Sequence, residues 1–180
     1  MSRPPKADTW LAVASAISKQ STCLRRQVGC VLTDVRGHVL STGYNGVASG
    51  MLHCNDSKVV FDGNLPLAPS GAIPRSTEAV IQRGINTHTE YPNACPGAQA
   101  PSGTQLDACQ AIHAEQNAIM AFRLPFDILS CYVTASPCMS CVKLLLGTSC
   151  KRVFFLEEYP HPEARILWEK SNREWIKYEI

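Results

Sequence analysis

The chain has 180 residues, 45% of them hydrophobic, enough for a cored domain, but aromatics reach only 7%, too few for a broad base-stacking platform. The net charge of +2 and pI near 8.1 are too mild for a protein that coats nucleic acid, yet they suit a small anionic ligand held by a few local cations. No stretch approaches the ~20 apolar residues of a membrane span, and the polar, proline-rich start from Met1 to Lys6 lacks the apolar segment of a signal peptide.

In chain order, Trp10, Leu11, Val13, Ala14 and Ile17 space an amphipathic helix over residues 7–19. Two strand-like runs follow, Gln27 to Thr33 and His38 to Tyr44, joined by Asp34-Val35-Arg36-Gly37 as a hairpin turn. From Asn45 to about Gln110 proline, glycine, serine and asparagine dominate, with one helical candidate over 76–83. A loop this long in a compact domain calls for a function or a staple. Order returns with a helix over 114–122, a strand over 128–134, a helix over 139–146 closed by Gly147, a strand over 152–156, a helix over 162–170 and a strand over 175–178. A hairpin followed by alternating strands and helices predicts an α/β fold, a three-layer α/β/α arrangement on a mixed sheet. The whole chain, 1–180, reads as one domain with a long insertion at about 46–112.

Nine cysteines, an odd number, argue against a complete disulfide framework. Together with the absence of a leader they predict a cytoplasmic protein whose thiols bind metal or act in catalysis. Cys138 and Cys141 form a Cys-x-x-Cys pair, and Pro137 just before them favours a helix start. Both sulfurs then sit in a first helical turn, where the backbone N–H groups and the dipole favour thiolate. His113 and Glu115, two apart, share a site only if His113 precedes a helix, which Ile112 and the helix formers after Glu115 support. Two adjacent helix starts bring His113, Cys138 and Cys141 around one Zn2+ and leave its fourth position open for water. Glu115 is then placed to move protons between that water and a substrate. Alone, the Cys-x-x-Cys pair is equally a redox pair or half of a structural zinc site. The His-x-Glu and Pro-Cys-x-x-Cys segments in this order match the signature of zinc-dependent deaminases.

His113-Ala114-Glu115-Gln116-Asn117-Ala118-Ile119 resembles the H-A-E-x-N-A-I segment of deoxycytidylate (dCMP) deaminases, and Tyr132 to Cys138 resembles their Y-V-T-x-x-P-C element. Ser41 to Gly46 is similar to their G-Y-N-G element, and Ser21-Thr22-Cys23 leading to Val28-Gly29 to their opening. The similarity is weakest between Asn55 and Tyr91. It implies a cytidine-deaminase-like fold with a five-stranded mixed sheet. It implies hydrolysis of dCMP to dUMP and ammonia, which supplies thymidylate synthesis. It also implies homohexamers, activation by dCTP and inhibition by dTTP, with Mg2+ accompanying a triphosphate effector and effector contacts around Gly43, Tyr44, Asn45 and Gly46.

Many bacterial and phage members of the family carry a second, structural zinc, and the matching positions here are Cys23, Cys54, Cys95 and Cys109. Four sulfurs would close a tetrahedral site and offset the closure entropy of the long loop. Cys95 and Cys109 are further apart than in the family, so His53 or His88 stands as an alternative ligand. Cys30, Cys131 and Cys150 lie in apolar runs and read as buried thiols. Candidate substrate contacts are Asn45 (or a turn asparagine), Ser136 (or a helix cap), Tyr159 (or a surface tyrosine) and Arg26 as a phosphate ligand, with Arg25 and Arg123 as further cations. The competing readings are deamination of a free cytosine nucleoside or of dCTP, a tRNA-editing enzyme, which would need a more basic face, and a structural zinc module that binds a partner.

Overall fold

The computed structural model describes residues 3–61 and 87–179, so the helical candidate over 76–83 falls outside the described residues. A central sheet has the order β2-β1-β5-β6-β7, built from β1 (Gly29–Thr33), β2 (Val39–Tyr44), β5 (Ser130–Ala135), β6 (Arg152–Glu157) and β7 (Glu174–Lys177). β1 runs antiparallel to both β2 and β5, while β5, β6 and β7 are parallel, which makes the five-stranded sheet mixed as predicted. Four helices accompany it among the described residues: α1 (Lys6–Ser18), α2 (Ala114–Met120), α3 (Met139–Leu146) and α4 (Pro162–Glu169).

Strand alternation sorts the core into two sides. Cys30, Leu32, Cys131, Val133, Val153 and Phe155 face α2, α3 and α4 through Ala114, Ala118, Val142, Leu145, Ala164 and Trp168. Val31 and Tyr132 face the other way, onto Leu11 and Ala14 of α1, with Phe154 packed against them. That is the three-layer arrangement expected from the sequence. The hairpin turn also forms as predicted: Asp34 Oδ1 accepts from the N–H groups of Arg36 at 2.9 Å and His38 at 2.8 Å, and Gly37 takes φ 77°.

The sequence reading missed a two-stranded sheet of β3 (Lys58–Phe61) and β4 (Thr87–Glu90) inside the predicted loop. An ion pair, Lys58 Nζ to Glu90 at 3.1 Å, joins the two strands. Short 3-10 turns occupy Pro96–Gln99 and Leu106–Ala108. The loop's two ends meet: Gly46 and Ile112 exchange backbone hydrogen bonds at 3.1 and 2.8 Å.

Two local features hold the helices that matter for the site. The Arg173 guanidinium donates to the carbonyls of Leu145 and Leu146 at 3.1 Å and Thr148 at 3.4 Å, capping the C-terminal end of α3 with a cation. Gly43 lets β2 touch α2, because a Cβ there would lie 2.3 Å from the Ala114 carbonyl oxygen and 2.5 Å from the Ala118 nitrogen. Gly43→Ala is therefore expected to cost about 1–3 kcal/mol through overpacking. Calorimetry would read this as about 2–4 °C of Tm per kcal/mol, and an unchanged Tm would contradict so close an approach.

Candidate functional site

Two helix N-termini converge at the carboxyl end of β5. Ile112, paired with Gly46, delivers the chain into α2, with His113 as its extended N-cap residue. Gln116 Oε1 accepts from the His113 backbone N–H at 2.8 Å, the reciprocal contact of a capping box. On the other side β5 ends at Ala135, Ser136 and Pro137 follow, and Cys138 is the extended N-cap residue of α3. The extended conformation at both caps turns His113 and Cys138 toward each other, as the two-residue spacing of His113 and Glu115 required.

His113, Cys138 and Cys141 bring one ligand atom each within 4.8 Å of the others, and among the described residues no other trio of metal-binding side chains does so. His113 Nδ1 lies 3.3 Å from both Cys138 Sγ and Cys141 Sγ. Tetrahedral zinc, with Zn–N of about 2.05 Å and Zn–S of about 2.3 Å, would place such atoms about 3.5 Å apart. The trio therefore fits the ion. Its electrostatics agree. The Cys138 thiol is pulled down to about 3, chiefly by its hydrogen bond with Cys141, then by His113, Ser140 and the Cys141 backbone N–H, all acting against burial. The same bond, with burial, pushes Cys141 well up. A divalent cation bound there would take the place of the hydrogen-bonded protons that now hold the three side chains together.

Glu115 is 4% exposed and sits beside this trio. Burial raises its carboxyl to about 7, against the lowering pull of His113. A carboxyl with its affinity shifted there is suited to general acid–base work near neutral pH.

The trio opens onto a solvent-open cleft. Of the predicted contacts, Arg26, Asn45, Ser136 and Tyr159 all line it, as does Arg25. Asn45 already serves the fold, accepting from the Val28 N–H at 2.7 Å and donating to the Arg26 carbonyl at 2.8 Å. Ser136 Oγ accepts from the Tyr159 N–H at 2.8 Å, so it fixes the tyrosine rather than capping α3. Tyr159 is half-buried. It is flanked by His161 in a stacked pair and by the Arg26 guanidinium, 5.6 Å from its ring centre. Arg123 is exposed and absent from the cleft lining. In the G-Y-N-G element, Gly43 is a packing contact, the Tyr44 carbonyl accepts from Asn117 Nδ2 at 2.8 Å, and Gly46 pairs with Ile112.

The other four predicted metal cysteines are all free thiols and share one neighbourhood. The Cys54 and Cys109 thiols both help to lower Cys95 by donating toward it. Cys23 acts electrostatically on both Cys54 and Cys109. Cys23 and Cys109 also border the cleft. His53 Nδ1 lies 3.2 Å from Thr22 Oγ1, and the His88 ring is on β4, 3.2 Å from Glu90. Cys30, Cys131 and Cys150 are buried in the core as expected, with Cys30 and Cys131 sulfurs 3.6 Å apart. The sequence reading gave no role to Ser102 or Ala111 in the cleft or to His161 behind Tyr159. Only the glycine and proline content around Ser102 marked that stretch as a loop.

Residues 4–157 match the cytidine and deoxycytidylate deaminase zinc-binding region, and the chain belongs to that family. It is 32% identical over 157 residues to the deoxycytidylate deaminase of Enterobacteria phage T2, covering 86% of this chain and 81% of the phage protein. It is 30% identical over 159 residues to that of Mycobacterium phage D29, covering 88% and 99%. The deoxycytidylate deaminase of Schizosaccharomyces pombe is 29% identical over 161 residues, and the chain spans 38% of that longer relative. In fold, the chain is similar to the dCMP deaminase of cyanophage S-TIM5, with a TM-score of 0.61 at 20% identity, covering 98% of this chain and all of the other. That phage enzyme has also been solved with dCMP and dUMP, with the same TM-score, 0.61, at 21% identity. Among the described residues no helix is long and apolar enough to cross a membrane.

Proposed function

We propose that the chain is a hydrolytic dCMP deaminase, converting dCMP and water to dUMP and ammonia. The observation that carries this reading is the convergence of His113, Cys138 and Cys141 at two helix starts beside the buried carboxyl of Glu115. The phage relatives named for this activity, at 30–32% identity, support the same substrate.

His113 Nδ1, Cys138 Sγ and Cys141 Sγ would hold the zinc. Zinc bound there supplies Lewis acidity that favours hydroxide near neutral pH. Glu115 accepts a proton from the attacking water and donates it to the ring nitrogen beside the reacting carbon. It then carries the second proton of that water to the exocyclic amine, which leaves as ammonia. Arg26, Asn45, Ser136 and Tyr159 line the cleft in which the nucleotide would lie.

The remaining parts of the reading are what the resemblance to dCMP deaminases implies. Cys23, Cys54, Cys95 and Cys109 hold a second, structural zinc that ties the 46–112 insertion to a single domain. The dUMP supplies thymidylate synthesis in the cytosol. The protein assembles as a hexamer, with dCTP as activator, dTTP as inhibitor and Mg2+ on the triphosphate, and with effector contacts around Gly43 to Gly46. The exposed Tyr44 at the sheet edge is compatible with such a contact.

Ammonia release from deoxycytidine, dCMP and dCTP tests the substrate. Highest kcat/KM is expected on dCMP. Highest turnover on deoxycytidine or dCTP would overturn the assignment, and no release from any of the three would favour a structural zinc module.

A further inference from the structure

Two polar atoms of the cleft-lining residues are buried without a hydrogen-bond partner among the described residues: Arg26 Nη1 and Ser102 Oγ. Arg26 Nη1 has an ion-pair contact with Glu157 at 3.4 Å, but that carboxylate is 71% exposed and shared with solvent. Ser102 Oγ makes a side-chain contact with the Tyr159 hydroxyl that falls outside aligned hydrogen-bond geometry. Unsatisfied buried donors cost stability unless something else in the cleft meets them. A guanidinium and a hydroxyl together suit an oxyanion with several acceptor oxygens.

Ser102 comes from the stretch between Cys95 and Cys109, and that stretch is gripped at the next residue. The Gly103 N–H donates to the Tyr159 hydroxyl at 3.1 Å. The Gly103 carbonyl lies 3.2 Å from His161 Nε2. The Tyr159 and His161 rings stack at 5.4 Å and 7°, forming one wall. Gly103 takes φ 87°, and a Cβ on it would meet Pro160 Cγ at 2.6 Å, so the grip needs glycine. Arg25 Nη1 holds the following carbonyl, that of Thr104, at 2.9 Å.

Resting on the dCMP reading, we propose that Ser102 and Arg26 receive the 5′-phosphate of the nucleotide, and that His161 is a positioning residue that sets Ser102 by holding the Gly103 peptide. Ser102 is thus a specificity residue for monophosphate over free nucleoside. A site built to pair its donors with phosphate discriminates against a ligand that leaves them unpaired.

The test compares the intact protein with Ser102→Ala, His161→Ala and His161→Gln. It measures kcat and KM on dCMP and on deoxycytidine, and the Kd of dUMP by calorimetry. Ser102→Ala is expected to lower kcat/KM for dCMP about tenfold more than for deoxycytidine, chiefly through KM, and to weaken dUMP by a similar factor. His161→Ala should shift the same ratio in the same direction, and His161→Gln, which keeps an N–H donor, should recover part of it. Equal losses on both substrates, or an unchanged Kd for dUMP, would overturn the proposal while leaving dCMP as substrate. A wild-type protein that prefers deoxycytidine would instead overturn the reading on which it rests.

Discussion

Glu115→Gln is expected to lower kcat for deamination by about 10²–10⁴-fold, the range for loss of a positioned general acid–base, with zinc content unchanged. Glutamine keeps the size and the hydrogen-bonding reach of the side chain but neither takes nor returns a proton. Glu115 lies within the α2 first turn, and its neighbours Ala114 and Ala118 hold that turn against the sheet. The fold therefore does not depend on its charge. Ammonia release and metal analysis on the same preparation separate the two effects. Full activity in this variant would mean that another group moves the protons. Loss of the metal along with activity would mean that Glu115 supports the ligands rather than the chemistry.

Cys54→Ser is expected to divide stability from catalysis in the opposite way. Zinc per chain should fall from two to one, and Tm by about 10 °C or more, because a structural site contributes folding energy outright. The folded fraction should keep a kcat within about threefold of the parent, since the residues around His113 are held by α2, α3 and the Gly46–Ile112 rung rather than by Cys54. One zinc per chain in the parent would remove the four-cysteine site. Two zincs in both proteins would give its place to another ligand, with His53 the first to examine.

The metal trio was legible because each half of it is local. Pro137 and Gly147 bound a helix in sequence, and a residue placed just before a helix is extended, so three side chains acquire their directions from short segments. The layering of a mixed sheet between helices followed from the same logic, as apolar runs in β1, β5 and β6 require cover on both faces, whereas the strand order emerged only from the structure. β3 and β4 were not legible. Thr87-His88-Thr89-Glu90 has no apolar stripe, and this ribbon belongs to a sheet separate from the central one. Gly43 was visible as part of a motif, but its physical role was not, since a missing Cβ says nothing until the helix it touches is known. The grip of His161 on Gly103 spans 58 positions and joins a ring to a backbone carbonyl. No periodicity reports such a contact.

The single rung between Gly46 and Ile112 has a consequence for how such enzymes diversify. Because the excursion leaves and re-enters the domain at one point, its length is decoupled from the placement of His113 one residue later. Doubling the length of a flexible loop costs only about 0.6 kcal/mol in closure entropy. The excursion can thus change in length without moving His113. Grafting that of a relative between these two residues would change what borders the cleft while the reacting centre stays registered to the sheet.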